Sequence, residues 1–215
     1  MNKPKDIQTF IHLYENLKQQ YPTHGILLSL DDFSQASYTA MHAIHTNDGF
    51  YLDDEGIDEA EFEYLQAKQI QNALKRFDGE YELFNKLYYS SDDIQKLVEV
   101  NSEPMAFLDD EITVMHFEGF NHIDKLAFLP NGYFSCDLKV YENLKLIQLL
   151  ALYGWEFFGI GASLLGFIKK DADLNATNEL LKKLYHVDDI LKQEINKNNY
   201  LFLGYAETLA DLVQL

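Results

Sequence analysis

The 23 residues from Leu146 to Ile168, LIQLLALYGWEFFGIGASLLGFI, contain one charged side chain, Glu156. A run this apolar has to leave water, and that requirement constrains the whole chain. It is long enough to span a bilayer as a helix. Glu156 near its centre, Gln148 and four glycines oppose that reading. A centred carboxylate costs about 2.5–3.5 kcal/mol on insertion scales. Gly154 also divides the run into parts of different period. Leu144, Ile147, Leu150 and Ala151 recur at helical spacing before it, whereas WEFFGIG after it reads as strand.

The glycines raise a second possibility, a phosphate-cradling loop. A dinucleotide loop places Gly-x-Gly-x-x-Gly between a strand and a helix, and each glycine has its own geometric task. Here Leu164 stands where the third glycine belongs, Gly166 comes two places late, and FIKK continues as strand. The Walker ending Gly-Lys-Ser/Thr is absent as well. The run is therefore expected to be core. A helix over 141–153 is closed by Gly154, and a bent, buried strand pair runs through 155–168. Glycines inside such strands mark bulges or close backbone approach.

The rest of the chain supplies the elements that cover this core. Ile7, Phe10, Ile11, Leu13, Tyr14 and Leu17 form a helical stripe over 5–20, ended by YPTHG. ILLSL, 26–30, suits a buried strand, and FSQASYTAMHAIH reads as helix. A long amphipathic helix is expected over 57–77, with acids in its first turns and Lys75 and Arg76 in its last, as the helix dipole prefers. SSDDIQKLVEV starts another helix, with Ser91 as its expected cap. EITVMHFEG, DKLAFLP and GYFSCDL read as three strands of an antiparallel meander, separated by turn signals. NATNELLKKLYH and VDDILKQEIN are helix candidates, NNYLFLGY a strand, and AETLADLVQL a last short helix. The fold class is α+β: a mostly antiparallel sheet with a C-terminal meander, packed with several helices, and a helix-rich N-terminal half. At 215 residues the chain reads as a single domain, 1–215, with a helix-rich subregion 1–100 and an α/β subregion 101–215.

Charge is unevenly distributed. The formal net charge is −18. No Lys or Arg lies between Lys18 and Lys68, a window with ten acids, or between Lys96 and Lys125, a window with seven. Such concentration describes a patch, which repels nucleic acid and anionic membrane and steers cationic partners inward. The alternative is plain solubility. One cysteine, Cys136, and the polar N-terminus MNKPKDIQTF suit a reducing cytosol. Arg76 is the only arginine, a bias that suggests a low-GC bacterium.

Motifs for chemistry are sparse. His42 and His45 would share a helix face, with Asp48 close behind and Asp31 and Asp32 as further donors, but no H-E-x-x-H accompanies them. Strand alternation would turn Cys136 inward beside Phe134 and Leu138, where a thiol is inert. Asp137 would cap the next helix. His116 and His122 complete the pool for an enzyme of unrecognised type. DDEGIDEAEFE lacks the alternate acids of a calcium loop. No metal or cofactor is expected.

The reading these features support is a cytosolic binding protein with an acidic docking surface, most concretely a toxin-immunity-type protein neutralising a basic effector. Its partner-binding residues are expected to be Phe50, Tyr51, Asp53, Asp54, Glu55, Asp58, Glu59 and Tyr64. Aromatic anchors in a charged rim are typical of such interfaces. FFGIGASLLGF resembles the Gly-rich strand region of bacterial toxin-immunity domains, over a stretch too short to define a family. A DNA mimic, whose acids imitate phosphate spacing, is the remaining alternative.

Overall fold

Asp6 accepts the Thr9 N–H at 2.8 Å and starts α1, Ile7–Gln20, which turns Phe10, Ile11 and Tyr14 inward. β1, His24–Ser29, follows at once. Asp32 then caps α2, Phe33–Thr46, from a left-handed conformation (φ 36°) that Asp tolerates better than most residues. The Asp109 carboxylate accepts the N–H groups of Asp32 and Phe33 at 2.9 and 2.8 Å, so donors at this helix start are satisfied from across the fold. α3 spans Glu59–Arg76. α4, Ser91–Ser102, begins with a capping box of Ser90 and Asp93, one residue before the expected cap. β2 is Val114–Glu118, and α5 is Val140–Leu152. β3, Trp155–Ile160, and β4, Leu164–Lys169, form the expected buried strand pair. α6, Leu174–Tyr185, α7, Lys192–Lys197, and β5, Tyr200–Gly204, complete the order. This computed structural model describes residues 1–77, 83, 84, 86–207, 209 and 212; the helix expected over 206–215 falls mostly outside them.

The class is α+β. The sheet is mixed, in the order β2-β1-β3-β4-β5, with β1 parallel to β3 and the other neighbours antiparallel. Every residue of β3 and β5 is buried, so these strands do not alternate: β5 is a continuous apolar run and β3 is one interrupted by Glu156. The pairing of β3 with β4 shifts register between Phe157 and Gly159. α1 packs on β1, α5 on β3, and α4 and α7 on β5. Phe158 ties these layers together, with Phe10 and Phe202 rings 5.8 and 5.9 Å away.

The meander expected across 111–138 does not form. Only 114–118 is strand there. Asn121 accepts the N–H groups of Ile123 and Asp124, and a 3-10 helix, Asp124–Phe128, follows. It lies over β1: a Cβ on Gly25 would sit 2.9 Å from Phe120 and 3.1 Å from the Phe128 ring. Residues 134–136 form a turn, with Asp137 accepting the Phe134 N–H at 3.0 Å and forming an isolated antiparallel bridge to Ala206. Asp137 therefore closes a turn, and Lys139 holds the cap position of α5. Cys136 is half-buried in this turn, not inward on a strand. Short apolar runs carry no period long enough to separate strand from tight helix. The antiparallel C-terminal part of the sheet is β3, β4 and β5 instead.

Candidate functional site

Two places on the molecule bring unusual side chains together. The first is the outer face of α2 and the loop after it. Tyr38, Met41 and His45 are exposed on successive turns, with half-buried His42 beside them. Tyr38 is 51% exposed and Met41 47%. The His42 ring lies between Tyr38, 4.5 Å away, and Tyr133, 4.9 Å away and stacked. Tyr133 in turn meets exposed Phe134 at 5.4 Å. His45 pairs with Tyr51 at 5.0 Å. The two histidines thus take aromatic partners rather than each other. Among the described residues no group of three His, Cys, Asp or Glu could hold a metal ion.

The expected docking residues divide sharply. Tyr51 is 52% exposed, and Asp53, Asp54, Glu55 and Asp58 are exposed. Asp53, Asp54 and Glu55 form none of the described ion pairs. Phe50, in contrast, is wholly buried, 5.6 Å from the Tyr141 ring, and offers a partner nothing. Gly49, at φ +77°, makes the turn just before Phe50 enters the core, and Gln66 then holds the Phe50 carbonyl. Tyr64 is half-buried against Phe117 and Phe120, under the Lys68 ammonium, so it belongs to the sheet side of α3. Glu59 stands in the first turn of α3, and its side chain lies outside the described set. Tyr38, Met41 and Tyr133 escaped the sequence reading, and Phe134, expected inward beside Cys136, is exposed. The i, i+3, i+7 spacing of Tyr38, Met41 and His45 was the available signal for the first two.

The two cation-free windows meet where Asp109 caps Asp32. They are not equally free. Asp110 pairs with Lys3 at 3.2 Å and Asp124 with Lys75 at 3.1 Å. Asp31 is interior, accepting the N–H groups of Ser163 and Leu164 at 2.9 and 3.2 Å, and burial pushes its carboxyl up to about 7. It contributes nothing to a surface patch and cannot serve His42 and His45. Among the described residues, Asp53, Asp54 and Glu55 in the loop after Tyr51 form a run of three exposed acids with no ion pair.

The second place is a cavity of about 420 Å³ walled by α1, the turn at 121–125, and the start of β3. Four side chains form a chain of short contacts in its wall. Lys125 Nζ donates to Tyr14 Oη, Tyr14 Oη donates to Glu156 Oε1, and Lys18 Nζ donates to the same oxygen, each at 2.6 Å. Lys170 reaches Glu156 Oε2 at 3.3 Å and also pairs with Glu15. Burial opposes the charge on Glu156, but the hydrogen bonds from Lys18 and Tyr14 and the Lys125 charge overcome it and hold the carboxyl at about 2. Lys125 is 1% exposed, between the Tyr14 and Phe157 rings. Burial pushes its ammonium down to about 7 against the pull of Glu156. His122 lines the same cavity. A larger cavity, about 520 Å³ between α2, α3 and β2, is walled mainly by apolar side chains.

The enzyme candidates are scattered. His116 stacks on Tyr21 at 4.6 Å, with His24 at 5.4 Å. The Cys136 sulfur approaches Asp137 Oδ1 at 3.8 Å, and burial, then that carboxylate, push its thiol up, away from the reactive thiolate. No described hydrogen bond joins Cys136 to a histidine. No family model, no curated protein and no solved structure matches the chain.

Proposed function

We propose that the protein is a cytosolic binding protein whose α2 face and following loop dock a basic protein partner, an immunity-type neutralisation of a cationic effector being its most concrete form. The observation that carries this reading is the exposed Tyr51, beside His45 of α2 and followed at once by the exposed carboxylates of Asp53, Asp54 and Glu55, which form none of the described ion pairs. Tyrosines give large, stiff contact area, and the carboxylates steer a cationic surface toward it. The membrane part of the expectation rests on less: no described helix is long and apolar enough to cross a membrane.

The test is capture from the native cell at low and high salt, with the wild type beside D53K/D54K/E55K and Tyr51→Ala. The wild type is expected to hold one basic protein stoichiometrically at low salt and release it as salt rises. The triple variant should slow association with that protein by about 10–100-fold, since steering charges act on the encounter rate. Tyr51→Ala should speed dissociation by about 10-fold or more. Equal capture by wild type and triple variant would sink the reading. Loss of capture when DNA is added as competitor would favour a DNA mimic instead.

A further inference from the structure

We propose that the cavity between α1 and the start of β3 captures a small α-keto acid as an imine, with Lys125 as the nucleophile and Lys18 and Lys170 as the carboxylate clamp. The inference is independent of the docking surface.

Buried lysines are rare, and one packed between two aromatic rings forfeits most of its hydration. The sole hydrogen bond described for Lys125 Nζ goes to Tyr14 Oη, so its other positions are uncommitted at the cavity wall. Desolvation of this kind leaves a lysine a free amine near neutral pH, the form that attacks carbonyls. The amine nitrogen would add to the keto carbon, giving a carbinolamine. In forming the carbinolamine the nitrogen gives up one proton and the former keto oxygen takes one. A second proton, from solvent water at the cavity mouth, lets that oxygen leave as water while the nitrogen keeps its last proton and the C=N bond forms as a cationic imine. Tyr14 touches the nitrogen on one side and the Glu156 carboxylate on the other, so it can relay the first proton without a change in net charge. Glu156 then stands close to the cationic imine.

The clamp follows from the same chain of contacts. Lys18 Nζ and Lys125 Nζ are separated by three hydrogen bonds in series, through Glu156 and Tyr14. That suits a molecule whose carbonyl and carboxylate are adjacent. Lys18 and Lys170 keep donors beyond Glu156, and their side chains are 37% and 41% exposed, toward the mouth. A cavity of about 420 Å³ holds a small metabolite. In a chain of net charge −18, the Lys18 and Lys170 ammonium groups balance the Glu156 and Glu15 carboxylates here, so an anion meets less repulsion at this wall than over the acidic windows.

The test uses wild-type protein with glyoxylate as probe at pH 7.5, cyanoborohydride to reduce any imine, and peptide mapping by mass spectrometry. Lys125 should be modified first, ahead of every exposed lysine. Acetaldehyde, which lacks the carboxylate, should modify Lys125 at least 10-fold more slowly. Tyr14→Phe should slow modification of Lys125 by about 10-fold while leaving exposed lysines unchanged, and they report that the chain is intact. Modification spread over exposed lysines with Lys125 untouched overturns the proposal. Equal rates with acetaldehyde and glyoxylate overturn the clamp and with it the α-keto acid.

Discussion

Glu156→Ala is expected to destabilise the protein by about 3–5 kcal/mol at pH 6, the cost of leaving a buried charge unpaired. The carboxylate is the centre of the cavity network, accepting from Tyr14 and Lys18 on one oxygen and pairing with Lys170 on the other. Lys18 and Lys170 can swing into water when it is removed, but Lys125 cannot. Tyr14 also loses its short acceptor and keeps only the Phe157 carbonyl at 3.5 Å, which places the cost toward the upper end of that range. Lys125 gives the effect a pH signature. With its pKa already at about 7 beside Glu156, it drops further without that charge. As pH rises from 6 to 9 the wild-type lysine loses its proton too, so the difference between variant and wild type shrinks. Glu156 itself works the other way. Its folded pKa, about 2, lies below its ordinary 4.5, so its contribution is present above 4.5 and is lost as pH falls toward 2. Glu156→Gln keeps an acceptor for Tyr14 and should cost less than the alanine. Urea titrations of the three proteins at pH 6 and pH 9 measure all of this. A pH-independent cost below about 1 kcal/mol would show that the network is solvated and the lysine ordinary.

Much of this fold was legible because its signals were long. The stripe over 5–20 and the amphipathic run over 57–77 each give several turns of one period, and both became helices within a few residues of the expected ends. The split of 146–168 at Gly154 held because length and breaker agreed. What failed was short. DKLAFLP and GYFSCDL carry no more apolar pattern than a tight turn needs, and the choice was made by packing over β1. Phe50 and Tyr51 are neighbours in an acidic stretch, yet one is wholly buried and the other 52% exposed. The backbone turn at Gly49 separates them, and composition does not record a turn's direction. Lys125 was least legible of all. In the sequence it is only the residue that ends a cation-free window, and nothing local marks it as interior. Glu156 was the available clue, because a lone charge in an apolar run must find a partner somewhere.

Gly161→Ala should leave the chain unfolded or insoluble, a loss of about 4 kcal/mol or more. A Cβ at this position would sit 1.9 Å from Asp31 Oδ1, 2.4 Å from Asp31 N and 2.5 Å from Asp31 O. Two of those atoms are backbone, and Asp31 cannot retreat. Its carboxylate holds the Ser163 and Leu164 N–H groups, and its carbonyl accepts the Ala162 N–H at 2.9 Å. Gly161 is equally fixed: its carbonyl accepts from Asn131 at 3.0 Å and from the Tyr205 hydroxyl at 2.7 Å. A methyl group wedged between two segments so held has no direction in which to relax. Gly56 supplies the control. It has φ +80° and nothing within 4 Å of an added Cβ, so Gly56→Ala should cost only the left-handed strain, about 1–2 kcal/mol. The contrast bears on what the glycine-rich run is for. If Gly161→Ala folds with the same small loss as Gly56→Ala, the loop is open enough to admit a ligand, and a phosphate-binding role returns. A collapse confined to Gly161 means that the backbone of β1's exit and the β3–β4 turn touch, and the space a phosphate would need is already filled by the Asp31 carboxylate.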